Sequence, residues 1–180
     1  MTTLMELIRK LRNPANKRVV QAIEELRARG WLEDGSLEGI RLCHVHMQNA
    51  DLLRANLKRA DLHQASLEGA DLRMANLSQA KLTRANLQGA NLSRTNLEGA
   101  DLFKANLMGV KNLTDEQLMQ AKRLTFATMP DGRPYDGRFN LAGDLEFARW
   151  GKIDVNDPEA MAYFLGVSVK TYLEGQKVKA

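Results

Sequence analysis

The 180-residue sequence has little that would cross-link a fold covalently or anchor it in a bilayer. It contains one cysteine, Cys43, so no internal disulfide framework can form. Apolar runs stay short of the about 18 residues that a membrane span needs. Charged residues interrupt the N-terminal stretch "MTTLMELIRKLRNPANKRVV" before a signal core develops. We therefore expect a cytoplasmic protein with no membrane association.

The charge balance also lacks a strong excess of one sign. Residues 1–34 carry seven basic and five acidic side chains, residues 35–109 nine and seven, and residues 110–180 ten and ten. A nucleic-acid-binding domain usually concentrates Lys and Arg on one face or in one run. The net charge of +4 is thinly spread and is weak evidence in either direction, and we do not expect nucleic acid as the partner.

A five-residue repeat dominates the middle of the chain. Residues 50–109 form twelve consecutive pentads, each with a central leucine. Alanine stands two places before the leucine in eleven of them, with Thr95 as the exception. Asp or Asn precedes the leucine in ten, with Ser66 and Lys81 as the exceptions. Three looser pentads come earlier, centred on Leu37, Leu42 and Met47.

A period of five suits neither common secondary structure. Five residues rotate an α-helix by about 140°, so the leucines would spread around all its sides, and on a strand they would alternate between two faces. The tandem motif A-[DN]-L-x-x resembles the pentapeptide-repeat family. That resemblance implies a mainly β fold, a right-handed quadrilateral β-helix (β-solenoid) of about four coils, with one pentad on each side.

In that geometry every Leu and its preceding Ala point inward and pack as large and small residues do in a core. The Asp or Asn before each leucine can accept a hydrogen bond from the local backbone at a bend. Ser66 is expected to do the same, whereas Lys81 cannot. Asn56, Asn76 and Asn96 are expected to stack in one column and form an amide ladder.

The two flanks are expected to be α-helical caps, because the open ends of a coil expose unpaired edges. We divide the chain into an N-terminal helical cap (1–34), the β-helix (35–112) and a C-terminal capping helix with a small helical extension (113–180). Asn13 and Pro14 are predicted as N-cap and first turn of a second helix that ends at Gly30. Trp31 and Leu32 are expected to contact the first coil. The apolar positions at helical spacing in the two helices are Leu4, Leu7, Ile8, Leu11, Val19, Val20, Ile23 and Leu26.

On the C-terminal side, Thr114 and Gln117 form a capping-box pattern that predicts a short helix. The stretch "MPDGRPYDGRFN" is predicted to be an ordered loop. Asp157 and Pro158 then begin a helix that ends at Gly166, and Ser168 begins the last helix, which ends before Gly175. The predicted core of this helical pair is Met161, Phe164, Leu165 and Leu173.

The cluster with the most catalytic appearance is "RLCHVHMQ". Cys43 is expected to lie beneath His63, with His44 and His46 nearby, and these groups are potential metal ligands. Their spacing matches no zinc motif, and the His positions face outward, so we predict neither a metal nor a cofactor. No nucleotide, hydrolase or metalloprotease motif occurs, and a filled interior leaves no pocket for catalysis.

The sequence therefore predicts a non-catalytic scaffold that presents a rigid surface to a protein partner. Four apolar side chains fall at outward repeat positions: Leu53, Met74, Phe103 and Met108. They mark either a partner site or places covered by the flanks, and the second reading is favoured for Leu53, Phe103 and Met108. The candidate surface comprises these four residues with Arg54, Lys58, Arg59 and Arg84.

Two alternatives remain open at this stage. Some relatives in the family act on DNA gyrase as mimics of DNA, but a mimic should be acidic, and Arg54, Lys58, Arg59 and Arg84 would repel a DNA-binding groove. The tail "AMAYFLGVSVKTYLEGQ" has the order of a helix-turn-helix, although its last helix is short and carries Glu174. We also leave open whether two copies associate through this tail.

Overall fold

The repeat segment forms a coiled ladder of single-residue bridges instead of extended strands. A computed structural model describes residues 2–13 and 15–177. Parallel bridges join positions 20 residues apart as far as Lys111 and 22 residues apart in the two bridges beyond it, and they fall in four columns. We number these columns as sides: side 1 holds Arg41, Asp61, Lys81, Asp101 and Arg123; side 2 holds His46, Ser66, Asn86, Asn106 and Thr128; side 3 holds Asp51, Asp71, Asn91 and Lys111; side 4 holds Asn56, Asn76 and Asn96.

The interior of the coil is filled by the leucine and alanine of every pentad. The central leucines from Leu52 to Leu107 and the alanines before them are at most 1% exposed. The expected inward orientation is therefore confirmed. Because each pentad turns a corner, one large and one small side chain enter the core from each side, and this close packing leaves the other positions to face water.

The corners depend on a backbone conformation that most residues avoid. The last position of each pentad, from His44 to Gly109, has a φ between 54° and 67° in fourteen successive pentads. Only four of these corners are glycine, so ten carry a side chain in the left-handed region, at a cost of about 1–2 kcal/mol each. The hydrogen bonds between successive coils must outweigh that cost.

The polar residue before each leucine stabilises the corner. All ten Asp and Asn residues at this position accept a hydrogen bond from the backbone N–H two residues later, at 2.9–3.3 Å. Ser66 makes no such bond within the fully described repeat segment, contrary to expectation, and neither does Lys81. At both corners the backbone bonds between coils suffice.

The expected amide ladder on side 4 is wrong in its hydrogen bonding. Asn56, Asn76 and Asn96 do stack in one column, but each side-chain oxygen accepts the local turn bond instead. A bond between stacked amides occurs on side 2, where Asn106 Nδ2 donates to Asn86 Oδ1 at 3.1 Å. The Asn86 oxygen also accepts its own turn bond, from the Gln88 N–H at 3.1 Å, so the turn bond is kept in both columns and the amide bond is added to it on side 2.

Thr95, the one departure from alanine, has a buried partner. Its side chain is 2% exposed, and its Oγ1 donates to the Leu72 carbonyl at 2.7 Å. A hydroxyl can enter the apolar interior there because this hydrogen bond satisfies it.

Two helices, α1 (Leu4–Leu11) and α2 (Asn16–Ala28), precede the coil. The predicted start of α2 is wrong, because its N-cap is Ala15 and not Asn13. The Asn13 side chain instead accepts a hydrogen bond from the Ala15 N–H at 2.9 Å. Pro14, predicted in the first turn, lies outside the described residues. Arg27 joins α2 to side 3, because its Nη2 donates to the Asp51 side chain at 3.0 Å.

Helix α3 (Asp115–Met119) takes the place of side 4 in the next coil. The predicted capping box between Thr114 and Gln117 is confirmed. Gln117 Nε2 also donates to the carbonyls of Leu92 and Thr95, at 2.9 and 2.8 Å, so the helix lies on the coil beneath it. The ladder then resumes at Arg123 on side 1, beyond residue 112, after 22 residues instead of 20. The division into three domains stays a prediction.

Helix α4 (Ala142–Trp150) packs against the resumed ladder. The N–H of Gly143 donates to the Lys122 carbonyl at 3.1 Å, and a Cβ at Gly143 would lie 2.6 Å from that oxygen. Asp144, 3% exposed, accepts bonds from the N–H groups of Leu124 and Thr125 and from the Thr125 hydroxyl. The sequence needs a glycine there because only glycine allows this close approach.

Helices α5 (Pro158–Leu165) and α6 (Val169–Gln176) form the terminal pair. The predicted N-caps Asp157 and Ser168 and the end at Gly166 are confirmed. The predicted end before Gly175 is wrong, since Gly175 lies inside α6, where a Cβ would come within 2.9 Å of the Asp136 carboxylate. Leu173, predicted in the core, is 44% exposed, and Tyr172 is buried in its place.

Within the described part of the chain, no helix combines the length and the apolar character that crossing a membrane requires.

Candidate interaction surface

The structure distributes the eight candidate residues over all four sides instead of gathering them in one patch. Leu53 and Arg54 follow the side 3 bridge at Asp51, and Met74 follows Asp71 on the same side. Lys58 and Arg59 belong to side 4, Arg84 and Phe103 to side 1, and Met108 to side 2. Any binding surface must therefore use a subset of them.

The side 3 and side 4 candidates have different surroundings. Leu53 is half-buried, and its carbonyl accepts from Arg27 Nη2 at 3.0 Å, which places it beside α2. Arg54 and Met74 are exposed corners of one column. Lys58 and Arg59 both pair with Glu38, at 3.5 and 3.7 Å. These exposed pairs contribute little to stability.

The side 2 candidate lies near the loop after the ladder. Met108 is 40% exposed, and its Sδ would be 3.7 Å from a Cβ built on Gly132. The tail therefore approaches Met108 without covering it.

Phe103 on side 1 belongs to a cluster of aromatic rings formed with the tail. Its ring centroid lies 5.7 Å from that of Phe126 and 5.2 Å from that of Phe147. Phe164 of α5 joins through Phe126 and Phe147, at 5.5 and 5.8 Å. Trp150 stacks on Phe147 with 6.0 Å between centroids and an interplanar angle of 12°. Phe103 is therefore held by intramolecular contacts, as the second reading of its position anticipated.

Two cations cover the rings of this cluster. Arg123 Cζ lies 4.5 Å from the centre of Phe103 and 5.4 Å from that of Phe147. Arg123 also pairs in a bidentate manner with Asp101, at 3.1 and 2.6 Å. Lys104 Nζ lies 5.4 Å from the centre of Phe103. Such cation–ring contacts orient the charges on the aromatic surface.

Sequence reasoning missed most of this cluster. Phe126, Phe147 and Trp150 were not among the candidates, nor were Lys104 and Lys122. A signal does exist in "FARW", where two aromatic residues three places apart share one face of α4. What the sequence hides is the position of α4 against side 1.

The cysteine and histidine cluster is divided between two sides. The register places Cys43 level with His63, as predicted, and the rings of His44 and His63 are 5.8 Å apart. His46 belongs to side 2, where it bridges to Ser66. Burial raises the pKa of the Cys43 thiol, and its hydrogen bond to Asp61 adds to that rise. Among the residues that the structure describes, no group of three or more His, Cys, Asp or Glu side chains is arranged to hold a metal ion.

Ion pairs neutralise much of the acidic surface of the coil. Arg73 lies 2.6 Å from Asp71, and its hydrogen bonds hold the pKa of that carboxyl below its usual value. Asp51 pairs with Arg27 and Asp101 with Arg123, at 3.0 and 2.6 Å. The carboxylates of sides 1 and 3 are therefore largely engaged within the molecule.

A ladder of this kind, with a filled interior and outward columns in register, defines a β-solenoid repeat protein. The family model for pentapeptide repeats matches residues 36–73 and 75–111, in eight copies. This segment consists of pentapeptide repeats. Such repeats imply the right-handed β-helix that the motif predicted.

Several solved structures are similar to the chain. A pentapeptide repeat protein, Rfr23, from the cyanobacterium Cyanothece 51142 is 38% identical over 44% of this chain and 52% of its own, with a TM-score of 0.40. One from the Arabidopsis thaliana thylakoid lumen is 28% identical, over 59% and 77%, with a TM-score of 0.31. HetL from Nostoc sp. strain PCC 7120, involved in heterocyst differentiation regulation, is 31% identical over 53% and 60%, with a TM-score of 0.28.

The chain thus spans about half the length of the Cyanothece protein. No curated protein matches the sequence.

Proposed function

We propose that this protein is a non-catalytic scaffold that binds a protein partner through the outer surface of its β-helix. The observation that carries the proposal is the division of each pentad into a buried Ala–Leu pair and outward positions held in register by backbone bonds between coils. A surface fixed in this way loses little conformational entropy on docking. An interior filled with side chains offers no space for a substrate.

The proposal assigns a capping role to the flanking helices around about four coils of repeats. Open coil ends would expose unpaired backbone groups and invite edge-to-edge association. In the N-terminal flank, the Leu32 carbonyl accepts a hydrogen bond from the Asn56 N–H at 2.8 Å. After α3, the Gln120 carbonyl accepts one from the Gly99 N–H at 2.8 Å. Both contacts support caps that extend the ladder's hydrogen bonding. A cytoplasmic location stays a prediction.

Photo-crosslinking from defined positions tests the scaffold function. A photoreactive amino acid replaces Met74, Arg84 or Met108, all exposed on the repeat segment, and the protein is returned to its source cell. We expect at least one position to give an adduct with a single protein, which unlabelled wild-type protein competes away. Met5, 61% exposed on α1, is the control position and should give none. If no outward repeat position gives a competed adduct, the proposal is wrong.

The charge distribution does not favour a DNA mimic that acts on gyrase. Such a mimic needs an extended acidic surface, whereas Asp51, Asp71 and Asp101 each pair with an arginine. We expect neither inhibition nor protection in a gyrase supercoiling assay, and either effect would revive this alternative.

DNA binding through α5 and α6 is the other alternative. The basic residue within α6, Lys170, lies 4.0 Å from Glu174, which reduces the charge available to phosphates. Salt-dependent retention on duplex DNA, lost on deletion of the tail, would support it. Association of two copies through the tail also stays a prediction, for which sedimentation is the measurement.

A further inference from the structure

A highly exposed tryptophan stacks on the aromatic cluster beside side 1. Trp150 is 81% exposed although it stacks on Phe147. Phe147 in turn contacts Phe103 of side 1, so the indole rests on a layer of rings that the coil supports. A rigid, exposed tryptophan is the kind of residue that dominates binding energy at interfaces, because burying it costs little side-chain entropy.

A lysine lies at a fixed place beside this tryptophan. Lys122 and Trp150 line one open cleft of about 300 Å³. The close contact of Gly143 with the Lys122 backbone fixes α4 relative to that lysine. The cleft is therefore built from two elements whose separation does not depend on a flexible loop.

Two lysines beside the aromatic cluster are available for a partner: Lys122 lines this cleft, and Lys104 lies over the Phe103 and Phe126 rings. Across the part of the chain that the structure describes, neither Lys122 nor Lys104 forms an ion pair, and both are exposed. Arg84, in the same corner column as Lys104, is likewise exposed and donates its N–H to the Phe103 carbonyl. The neighbouring arginine, Arg123, is already neutralised by Asp101.

A second cleft continues the surface along side 1. It has a volume of about 460 Å³ and shares Lys122 with the first, so the two adjoin. Lys81 and His63 line it together with Asp61 and Asp101. An extended ligand on Trp150 would thus continue past Lys122 into a groove with donors and acceptors.

The charges along this groove alternate in sign, and this alternation favours an acidic peptide over a polyphosphate chain as the ligand. Side 1 reads Arg41, Asp61, Lys81, Asp101 and Arg123 in successive coils. A polyphosphate chain along it would meet a carboxylate at every second level, and Glu146 lines the tryptophan cleft as well. A peptide fits better, because its own N–H groups can donate to the carboxylates of Asp61 and Glu146, which line the two clefts, while its acidic side chains pair with the free lysines.

We propose that Trp150, Lys122 and Lys104 bind an acidic peptide segment of a protein partner. An aromatic or long apolar side chain of that segment packs on Trp150, and its carboxylates pair with the two lysines. We name these three residues, with Phe147 beneath Trp150, the aromatic-basic panel. The inference rests on the proposed scaffold function and specifies the chemistry of the partner.

Fluorescence anisotropy of the full chain with defined probes tests this proposal. The main probe is a short labelled peptide of Glu and Asp residues around one Phe. The comparison probes are the same peptide with Gln and Asn in place of the acids, and a single-stranded oligothymidylate of equal length. The acidic peptide should bind most tightly, and its affinity should fall as salt rises.

Matched variants locate the binding. Trp150→Ala should lower the affinity for the acidic peptide about tenfold, as removal of an interface anchor does. Tyr163→Ala, which removes a side chain that is 86% exposed on α5, should leave the affinity unchanged. Lys122→Gln should weaken binding about threefold, whereas Lys17→Gln on α2 should have no effect. All four sites are exposed, so circular dichroism should show unchanged folding.

Several results would overturn the inference: no saturable binding of the acidic peptide, equal binding of the amide peptide, tighter binding of the oligothymidylate, or an unchanged affinity in Trp150→Ala. If crosslinking from Met74, Arg84 or Met108 still yields a competed adduct, the scaffold function stands and only the assignment of the panel fails. If both experiments fail, the scaffold function fails as well.

Discussion

Asp144 is the buried carboxylate that fastens α4, and thereby Trp150, to the last coil. It accepts three hydrogen bonds, at 2.9 Å from the Leu124 N–H, at 2.7 Å from the Thr125 N–H, and from the Thr125 hydroxyl. Replacing it with alanine leaves three buried donors without an acceptor. Each buried donor left unsatisfied costs about 1–3 kcal/mol, and partial relaxation with water entry reduces the sum. We expect Asp144→Ala to lower the free energy of unfolding by about 3–5 kcal/mol.

Asp144→Asn separates hydrogen bonding from charge. The amide oxygen can accept the same three donors, so the variant should lose much less stability than Asp144→Ala, within about 1 kcal/mol of wild type near neutral pH. Urea unfolding followed by circular dichroism measures both variants. A loss below about 1 kcal/mol in Asp144→Ala would refute the argument, because it would mean that the three bonds do not fasten α4.

The pH dependence gives an independent check on the same residue. Burial raises the pKa of Asp144, with the hydrogen bonds from Thr125 and Leu124 opposing the rise. The folded state therefore binds the proton more tightly than the unfolded state. This contribution to stability is present at low pH and is lost as pH rises from the ordinary carboxyl value through the raised one. As pH rises through that window, the free energy of unfolding of the wild type should fall relative to that of Asp144→Asn.

Three further substitutions test the repeat itself, each by urea unfolding. Thr95→Val keeps the shape but removes the donor to the Leu72 carbonyl, and should cost about 1–2 kcal/mol; no loss would mean that this bond contributes nothing. Gly89→Ala should cost about 1 kcal/mol, since its φ is +67° with open space around a Cβ, and Gly89→Asn should cost less. Leu87→Ala should cost about 3–5 kcal/mol, and equal stability of the variant would contradict its place in the core.

The repeat was predictable from the sequence because one rule sets both its spacing and its packing. A leucine every fifth residue can be buried only if the chain turns at each pentad, so side, register and inward orientation follow together. The Asp and Asn bonds followed as well, since short polar side chains accept from the backbone at bends. The Asn ladder did not, because the repeat pattern is the same in both Asn columns and does not show in which of them an amide nitrogen reaches the oxygen of the next coil.

The tail was less predictable because its structure depends on contacts between distant segments. Ala127, Thr128 and Met129 fill the first three positions of a pentad. This pentad is hard to recognise in the sequence, because α3 lengthens the spacing between coils from 20 to 22 residues. Gly175 resembles a helix end in sequence and is instead a contact point with Asp136. Phe147 and Trp150 share one face of α4 in the sequence, but the ring that Phe147 meets on side 1 follows only from the placement of α4.

Amide hydrogen exchange over the repeat segment tests the central claim of a rigid, filled coil most directly. Backbone bonds between coils involve nearly every pentad, so the amides of residues 50–110 that donate between coils should exchange only through opening close to global unfolding. Their protection should decrease in parallel when urea is added. Rapid exchange of the inward pentad positions at low urea, independent of global stability, would contradict the account.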